Sequence, residues 1–313
     1  MNRYSWFVLL VLAACTRAPQ REDGWVSICL FSPSCVTRAS DPEDNLISDY
    51  NLLIYNDLGI LEEQVYVSSR ELVAPEGVVR YQTRLLLDAE YWILAAANLG
   101  YALPAMTLDQ ALAYRFYLAY PDEYSHGIPM AVTLHSWVGD STQLDVRLER
   151  LMSRIDLQMD RSALDPDVSM RVESVRIGAC PTWARLFSPS AVETEDELFL
   201  SGFCKTGNQL DRLNREVSQG LSGEVSFYLL ENRQKDTEDP RQLLLCSYLE
   251  LRIHYYSSTL YTRPGEALIY RFYLGDEHDV QRNARYPYIL RPVGDGLHAS
   301  GWSIDKSALK PVQ

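Results

Sequence analysis

Leu249-Glu250-Leu251-Arg252-Ile253-His254-Tyr255 places apolar side chains on every odd position and polar ones on every even position. Successive side chains of a strand point to opposite faces, so this stretch predicts a strand with one face buried and the other in water. Similar alternation, or short apolar runs bounded by turn residues, recurs at 25–31, 47–55, 65–70, 78–87, 91–97, 130–138, 142–148, 225–230, 267–274 and 285–291. Asp57-Leu58-Gly59, Glu76-Gly77, Ser222-Gly223 and Pro264-Gly265 supply turns between them. Many short strands with frequent turns predict an all-β chain built as sandwiches or barrels. One helix is expected after Thr107, where Thr107 and Gln110 form a capping-box pair. Leu148–Met159 fits a helical stripe and a strand equally well on periodicity, and no internal repeat is visible.

The composition agrees with a folded chain. Of 313 residues 47% are hydrophobic and 23% charged, and aromatics are plentiful, with 20 Tyr, 6 Trp and 8 Phe. Length alone predicts two domains. The 42 acidic residues outnumber the 29 basic ones, a net charge of −13, and no basic cluster is present; this argues against a nucleic-acid partner, whose phosphates draw on a basic patch.

Residues 1–14 carry Arg3 and then an apolar run from Trp6 to Ala14, the pattern of a secretory signal too short to span a bilayer. Leu12-Ala13-Ala14-Cys15 resembles a bacterial lipobox, which predicts that Cys15 is lipidated and that acyl chains anchor the protein. Residues 15–24 then form a polar tether. Its Gln20-Arg21-Glu22-Asp23 resembles the charged export signal of Bacteroidetes-type surface lipoproteins, and reads equally as a solvated linker.

Reactive chemistry is sparse. Apart from Cys15, the cysteines are Cys29, Cys35, Cys180, Cys204 and Cys246; Cys29 with Cys35 and Cys180 with Cys204 are near enough in sequence to pair, and spacing settles neither. No Cys/His zinc spacing, His-Glu-x-x-His, Gly-x-Ser-x-Gly elbow or phosphate-cradling glycine loop occurs. Asp276-Glu277-His278-Asp279 is the richest polar cluster and reads as a solvated hairpin loop; Asp160–Asp167, Glu193–Glu197 and Asn232–Arg241 also read as loops. No catalytic, cofactor or metal residue is assigned, and the expectation is a non-enzyme.

Several stretches, taken in order, resemble the fimbrillin-like and fimbrial anchor lipoproteins of Bacteroidales. They are Ile47-Ser48-Asp49-Tyr50 running into Asn51–Gly59, Tyr91–Asn98, Ile128-Pro129-Met130, Arg150–Ile155, Phe227–Asn232, Tyr248–Leu251, Tyr270–Gly275, Arg282-Asn283 before Tyr286, and Trp302. The chain departs from that pattern at His278-Asp279, where Phe-Asn is usual, and at Leu230, where Pro is common. The resemblance implies two tandem transthyretin-like Greek-key sandwiches, at 25–143 and 144–313, and tips Leu148–Met159 towards a strand opening the second.

It also implies assembly with other pilin subunits by strand donation, in which a neighbour's strand fills a groove left when the first strand is removed by proteolysis. Arg38, followed by Ala39, is the basic residue placed for such a cut. A cut there would part the folded domains from Cys15, which an anchor cannot tolerate and a shaft subunit needs. The tail after Trp302 is short and alternates poorly for a donor strand. The expectation is therefore an outer-membrane surface lipoprotein that anchors or terminates a fimbria and contributes to adhesion, with Trp25–Phe31 as the retained first strand. A glycan-binding surface lipoprotein, using tyrosines and tryptophans as stacking platforms, is the alternative.

Overall fold

A computed structural model describes residues 22–33, 45–72, 78–139, 143–235, 237–259, 267–297 and 303–306. The expected strand at Leu249–Tyr255 lies within a strand over Tyr248–Ser257, with Leu249, Leu251, Ile253 and Tyr255 buried and the intervening residues turned outward.

The N-terminal strands are β1 (Asp23–Phe31), β2 (Tyr50–Asn56), β3 (Leu61–Val67), β4 (Val78–Leu86), β5 (Ala89–Ala97), β6 (Arg115–Tyr117), β7 (Met130–Val138) and β8 (Gln143–Arg147), with the helix α1 (Leu108–Leu112) between β5 and β6. One sheet has the order β4-β1-β8, and a second runs β3-β2-β5-β7 with Glu149–Arg150 on its edge. The C-terminal strands are β9 (Met152–Met159), β10 (Val168–Gly178), β11 (Trp183–Arg185), β12 (Phe203–Thr206), β13 (Val225–Leu230), β14 (Tyr248–Ser257), β15 (Ala267–Tyr273), β16 (Arg285–Arg291) and β17 (Ser303–Lys306). Here the sheets run β13-β9-β16-β17 and β12-β10-β14-β15. Each sheet pair encloses its own apolar core. The chain is an all-β pair of sandwiches with a few short helices.

The sequence shows no repeat, yet the strand plan repeats. In the first half β1 pairs antiparallel with β4 and parallel with β8, β2 pairs with β3 and β5, and β5 pairs with β7. In the second half β9 pairs antiparallel with β13 and parallel with β16, β10 pairs with β12 and β14, and β14 pairs with β15. Sandwich topology tolerates any residues that keep one face apolar, so plan is preserved without identity.

The expected division between residues 143 and 144 falls inside β8, whose Leu144 and Val146 pack in the first core. β9 starts eight residues later, at Met152, so Leu148–Met159 is the connection and first strand of the second sandwich.

A third core lies between the halves. The five-stranded sheet is buried on both faces: Leu52, Ile54, Ile93 and Ala95 enter the first core, while Leu53, Tyr55, Leu94 and Ala96 face outward onto Phe116, Leu151, Met152, Leu186, Phe187 and Tyr228. Double burial is why Leu52–Tyr55 and Ile93–Ala97 read as unbroken apolar runs rather than alternating ones. The same layer takes in α1 through Ala111, and α1 has the expected capping box, Thr107 Oγ1 accepting from Gln110 N at 3.3 Å and Gln110 Oε1 from Thr107 N at 3.0 Å. β6 pairs with β11, and the Arg115 guanidinium lies 3.9 Å from the Trp183 ring centre, tying the halves together at the surface.

The polar residues in the apolar stretches of the first half have a definite task. Asn98 is buried at φ 62°, donates from Nδ2 to the carbonyls of Leu46 and Ile128 at 2.8 Å each, and accepts at Oδ1 from Ser48 N at 2.8 Å. Buried Asp49 accepts from the backbone N–H groups of Leu99 and Gly100 at 3.1 Å each, bonds that offset the upward push of burial on its carboxyl. Together they close the turn after β5. Asn98→Ala should therefore cost about 2–4 kcal/mol, because it leaves two carbonyls unsatisfied and puts alanine at positive φ. Urea unfolding measures it, and a loss below about 0.5 kcal/mol would contradict this account.

Candidate functional site

The candidate site is the slot that β1 fills. Asp23–Phe31 alternates so that Val26, Ile28 and Leu30 enter the first core while Trp25 and Ser27 point away; Cys29, on that second face, is also buried. All nine residues pair with β4, from Asp23 opposite Leu86 to Phe31 opposite Val78. On the other side Ser27–Phe31 pairs in parallel with Gln143–Arg147. β1 is thus the middle of its sheet, and Val79, Leu85, Leu144 and Val146 form the walls of a groove that it occupies.

The strand is fastened at both ends. The Arg84 guanidinium lies 5.8 Å from the Trp25 ring centre, Arg147 sits at the same distance from Phe31, and Leu148 N donates to Phe31 O at 2.9 Å. Beyond β8, no described strand continues this sheet. In the second sandwich the equivalent strand, β16, does carry a further partner: β17 pairs antiparallel with it, from Tyr288 opposite Lys306 to Arg291 opposite Ser303. Within the tail expected to be a poor donor strand, Ser303–Lys306 are thus already paired within their own sheet.

Cys15, Arg38, Ala39, Cys35 and Trp302 lie outside the described residues. Cys29, Cys180, Cys204 and Cys246 are free, so Cys180 and Cys204 form no bond. Burial pushes the Cys246 thiol up to about 11 and raises Cys180 further, which makes both poor nucleophiles. Asp276–Asp279 is a hairpin turn closed by Asp279 N donating to Asp276 O at 2.9 Å, and among the described residues no group of three His, Cys, Asp or Glu is arranged for a metal ion. His254 pairs with Glu173 at 3.5 Å on the exposed sheet face, and His135 stacks on Trp92 at 4.2 Å. Asn232–Arg241, expected as loop, contains a two-residue strand and the start of a short helical turn at Pro240, while Glu193–Glu197 ends in a single 3₁₀ turn. No helix among the described residues is long and apolar enough to cross a membrane.

Residues that sequence reasoning named only by resemblance prove to be a clamp. Arg282 donates to buried Glu231 from Nε at 2.9 Å and again from Nη2, and to the carbonyls of Arg185 at 2.7 Å, Leu186 at 3.3 Å and Ser188 at 2.8 Å. Glu231 also accepts from Ser190 N at 2.8 Å. The neighbouring Asn283, at φ 56°, accepts from Arg150 Nη1 at 3.2 Å, so the pair fastens the 185–190 segment and the connection between the sandwiches.

No protein-family model matches the sequence, and no curated protein matches it. Solved structures do. A candidate cell adhesion protein from Bacteroides eggerthii is similar with a TM-score of 0.61 at 14% identity, over 90% of this chain and 95% of that one. The tip fimbrial protein Mfa3 from Porphyromonas gingivalis, with C-terminal truncation, gives 0.59 at 11% identity over 91% and 99%. A fimbrilin from Porphyromonas gingivalis gives 0.51 at 13% identity over 86% and 90%. At such identities the likeness is one of fold, and it matches the architecture described above: the chain has the fimbrillin-like fold of Bacteroidales fimbrial and cell adhesion proteins.

Proposed function

We propose that the protein is a subunit of a fimbria, held on the outer membrane surface by lipid at Cys15 and joined to other pilins by β-strand donation, and that it contributes to cell adhesion. The observation that carries this reading is the slot of β1. A central strand that is N-terminal, linked to the rest by a segment containing Arg38, and flanked on both sides by pairing partners is a removable element whose loss leaves a groove of strand length. A neighbour's strand would supply main-chain hydrogen bonds along β4 and β8, and apolar side chains at alternate positions where Val26, Ile28 and Leu30 now lie.

Within that role the anchor or a terminal subunit is favoured over the shaft. The slot is filled by the chain's own strand, and β17 is already committed to β16. The division into domains is proposed as signal 1–14, tether 15–24 and two sandwiches that meet at Leu148–Leu151. The alternative of a glycan-binding lipoprotein loses support because Tyr50, Tyr55, Tyr91, Tyr270, Tyr286 and Tyr288 are core residues rather than platforms.

Intact-mass and N-terminal analysis of the protein from native membranes, with whatever fibres co-purify, tests the proposal. A lipidated Cys15 on a chain bound to pilins is the expected result. A chain starting at Ala39 inside a polymer would make it a cleaved subunit, and lipidated protein with no pilin partner would overturn the fimbrial assignment.

A further inference from the structure

Where the segment from β12 through Arg212 folds against the start of edge strand β13, a cavity of ≈ 320 Å³ is lined by Arg154, Lys205, Gln209, Arg212, Glu224 and Ser226. The volume is at the low end of small-ligand pockets, roughly 300–1,000 Å³.

Two of the nearby cations are matched by carboxylates. Arg154 Nε donates to buried Asp156 at 2.7 Å and its Nη2 lies 3.5 Å from Glu224; Arg285 contacts the same two carboxylates. That network is balanced, two guanidinium groups against two carboxylates. Lys205 and Arg212 are in addition to it, and among the described residues neither forms an ion pair. Lys205 Nζ is half-buried, spends one N–H on Ser226 O at 2.8 Å and lies 4.8 Å from the centre of the Phe227 ring. Burial lowers its pKa, and the upward pull of Asp122 only partly offsets that desolvation. Gln209 Oε1 accepts from Thr206 N at 3.3 Å, which leaves its Nε2 as a donor. In a chain of net charge −13, a cavity lined by Arg154, Lys205 and Arg212 against the single carboxylate of Glu224 is a local reversal of sign.

We infer that this cavity binds a small oxyanion, a carboxylate, sulfate or phosphate group, held between Lys205 and Arg212 with Gln209 as a further donor. The guanidinium supplies the planar two-point contact and the ammonium a point charge. Glu224 is the one carboxylate among the lining residues. In its ionised form it opposes the ligand and limits affinity, while burial and Asp156 push its carboxyl upward, towards the neutral form that an anion tolerates better. The site does not depend on strand donation, since it lies on the second sandwich and uses none of the β1 slot.

Isothermal titration of the folded protein at low ionic strength with sodium sulfate, sodium phosphate and sodium N-acetylneuraminate, with neutral N-acetylglucosamine as the control, tests it. Saturable binding of at least one anion and none of the neutral sugar is expected. Lys205→Met and Arg212→Ala should each weaken binding by roughly 10-fold or more, the size of a charged hydrogen bond. Glu224→Gln should tighten it several-fold. Binding of N-acetylneuraminate alone would assign an acidic sugar, and binding of all three a general oxyanion site; both support the inference. Absence of binding by all three anions up to about 10 mM, a dissociation constant worth under 3 kcal/mol, would overturn it. So would binding that survives unchanged in Arg212→Ala, an exposed position whose variant will fold.

Discussion

Arg282→Ala should destabilise the second sandwich by about 3–5 kcal/mol, the range for removing one partner of a buried ion pair. The guanidinium side chain is 10% exposed and the Glu231 side chain 1% exposed, so truncation leaves a carboxylate in the interior with only Ser190 to bond it, and orphans three carbonyls at Arg185, Leu186 and Ser188. Arg282→Lys should recover only a small part of the loss, because a point charge cannot reach carboxylate and carbonyls together as the planar fork does. Glu231→Gln added to Arg282→Ala should restore part of it by removing the buried charge. Urea unfolding of the three variants reads these differences. If Arg282→Ala unfolds within about 0.5 kcal/mol of the parent, a surface-like value, the clamp is not a structural element.

A chain that starts at Ala39 should lose the first sandwich while keeping the second. It lacks Val26, Ile28 and Leu30, each worth roughly 1.5–3 kcal/mol when fully buried, and it leaves β4 and β8 without the strand between them. The sum is comparable to the whole stability of a domain, about 5–15 kcal/mol. Unfolding should therefore split, with one transition remaining for the second sandwich, and the exposed strand edges should drive self-association. A synthetic Asp23–Phe31 peptide should restore the lost transition, whereas one with Ile28→Asp should not. A monomeric Ala39 chain with an unaltered unfolding curve would rule out the slot as an assembly site.

Much of the fold was legible because most strands bury one face. Leu249–Tyr255 keeps strict alternation and the structure buries the side that alternation selects, while in Trp25–Phe31 the inward Val26, Ile28 and Leu30 follow the same period although Cys29 on the other face is buried too. The longest strand, β10, escaped the same reading. Its inward residues are Met170 and Val172, then Val175 and Ile177, because the pairing with β14 skips Glu173 at a bulge and the parity changes mid-strand. Leu148–Met159 was ambiguous for a different reason. Leu148 belongs to the first core, Leu151 and Met152 to the third, and Ile155, Leu157 and Met159 to the second, so a connection and strand that together cross three cores imitate a helical stripe.

The sites divide along the same line. The first strand could be placed from its own residues. The proposed oxyanion cavity draws Arg154, the Lys205–Arg212 segment and Glu224 from three separate stretches, and no motif along the chain connects them. Arg282 and Asn98 stood out only as parts of a resemblance, since nothing in their neighbours along the chain announces the carbonyls they bind.

The parallel pairing of β1 with β8 governs when the first sandwich can close. Ser27 meets Gln143, so that contact forms only after nearly the whole N-terminal half has been ordered, at the entropy of a very large loop. Until Gln143–Arg147 docks, β1 is held along one edge alone, by β4. Under the strand donation proposed above, a strand from another molecule would compete with β1 during that interval on kinetic rather than equilibrium terms. The choice between a self-closed subunit and a joined one is then open chiefly to a freshly made chain, and a mature one, with both edges of β1 engaged, exchanges at the rate of its own unfolding.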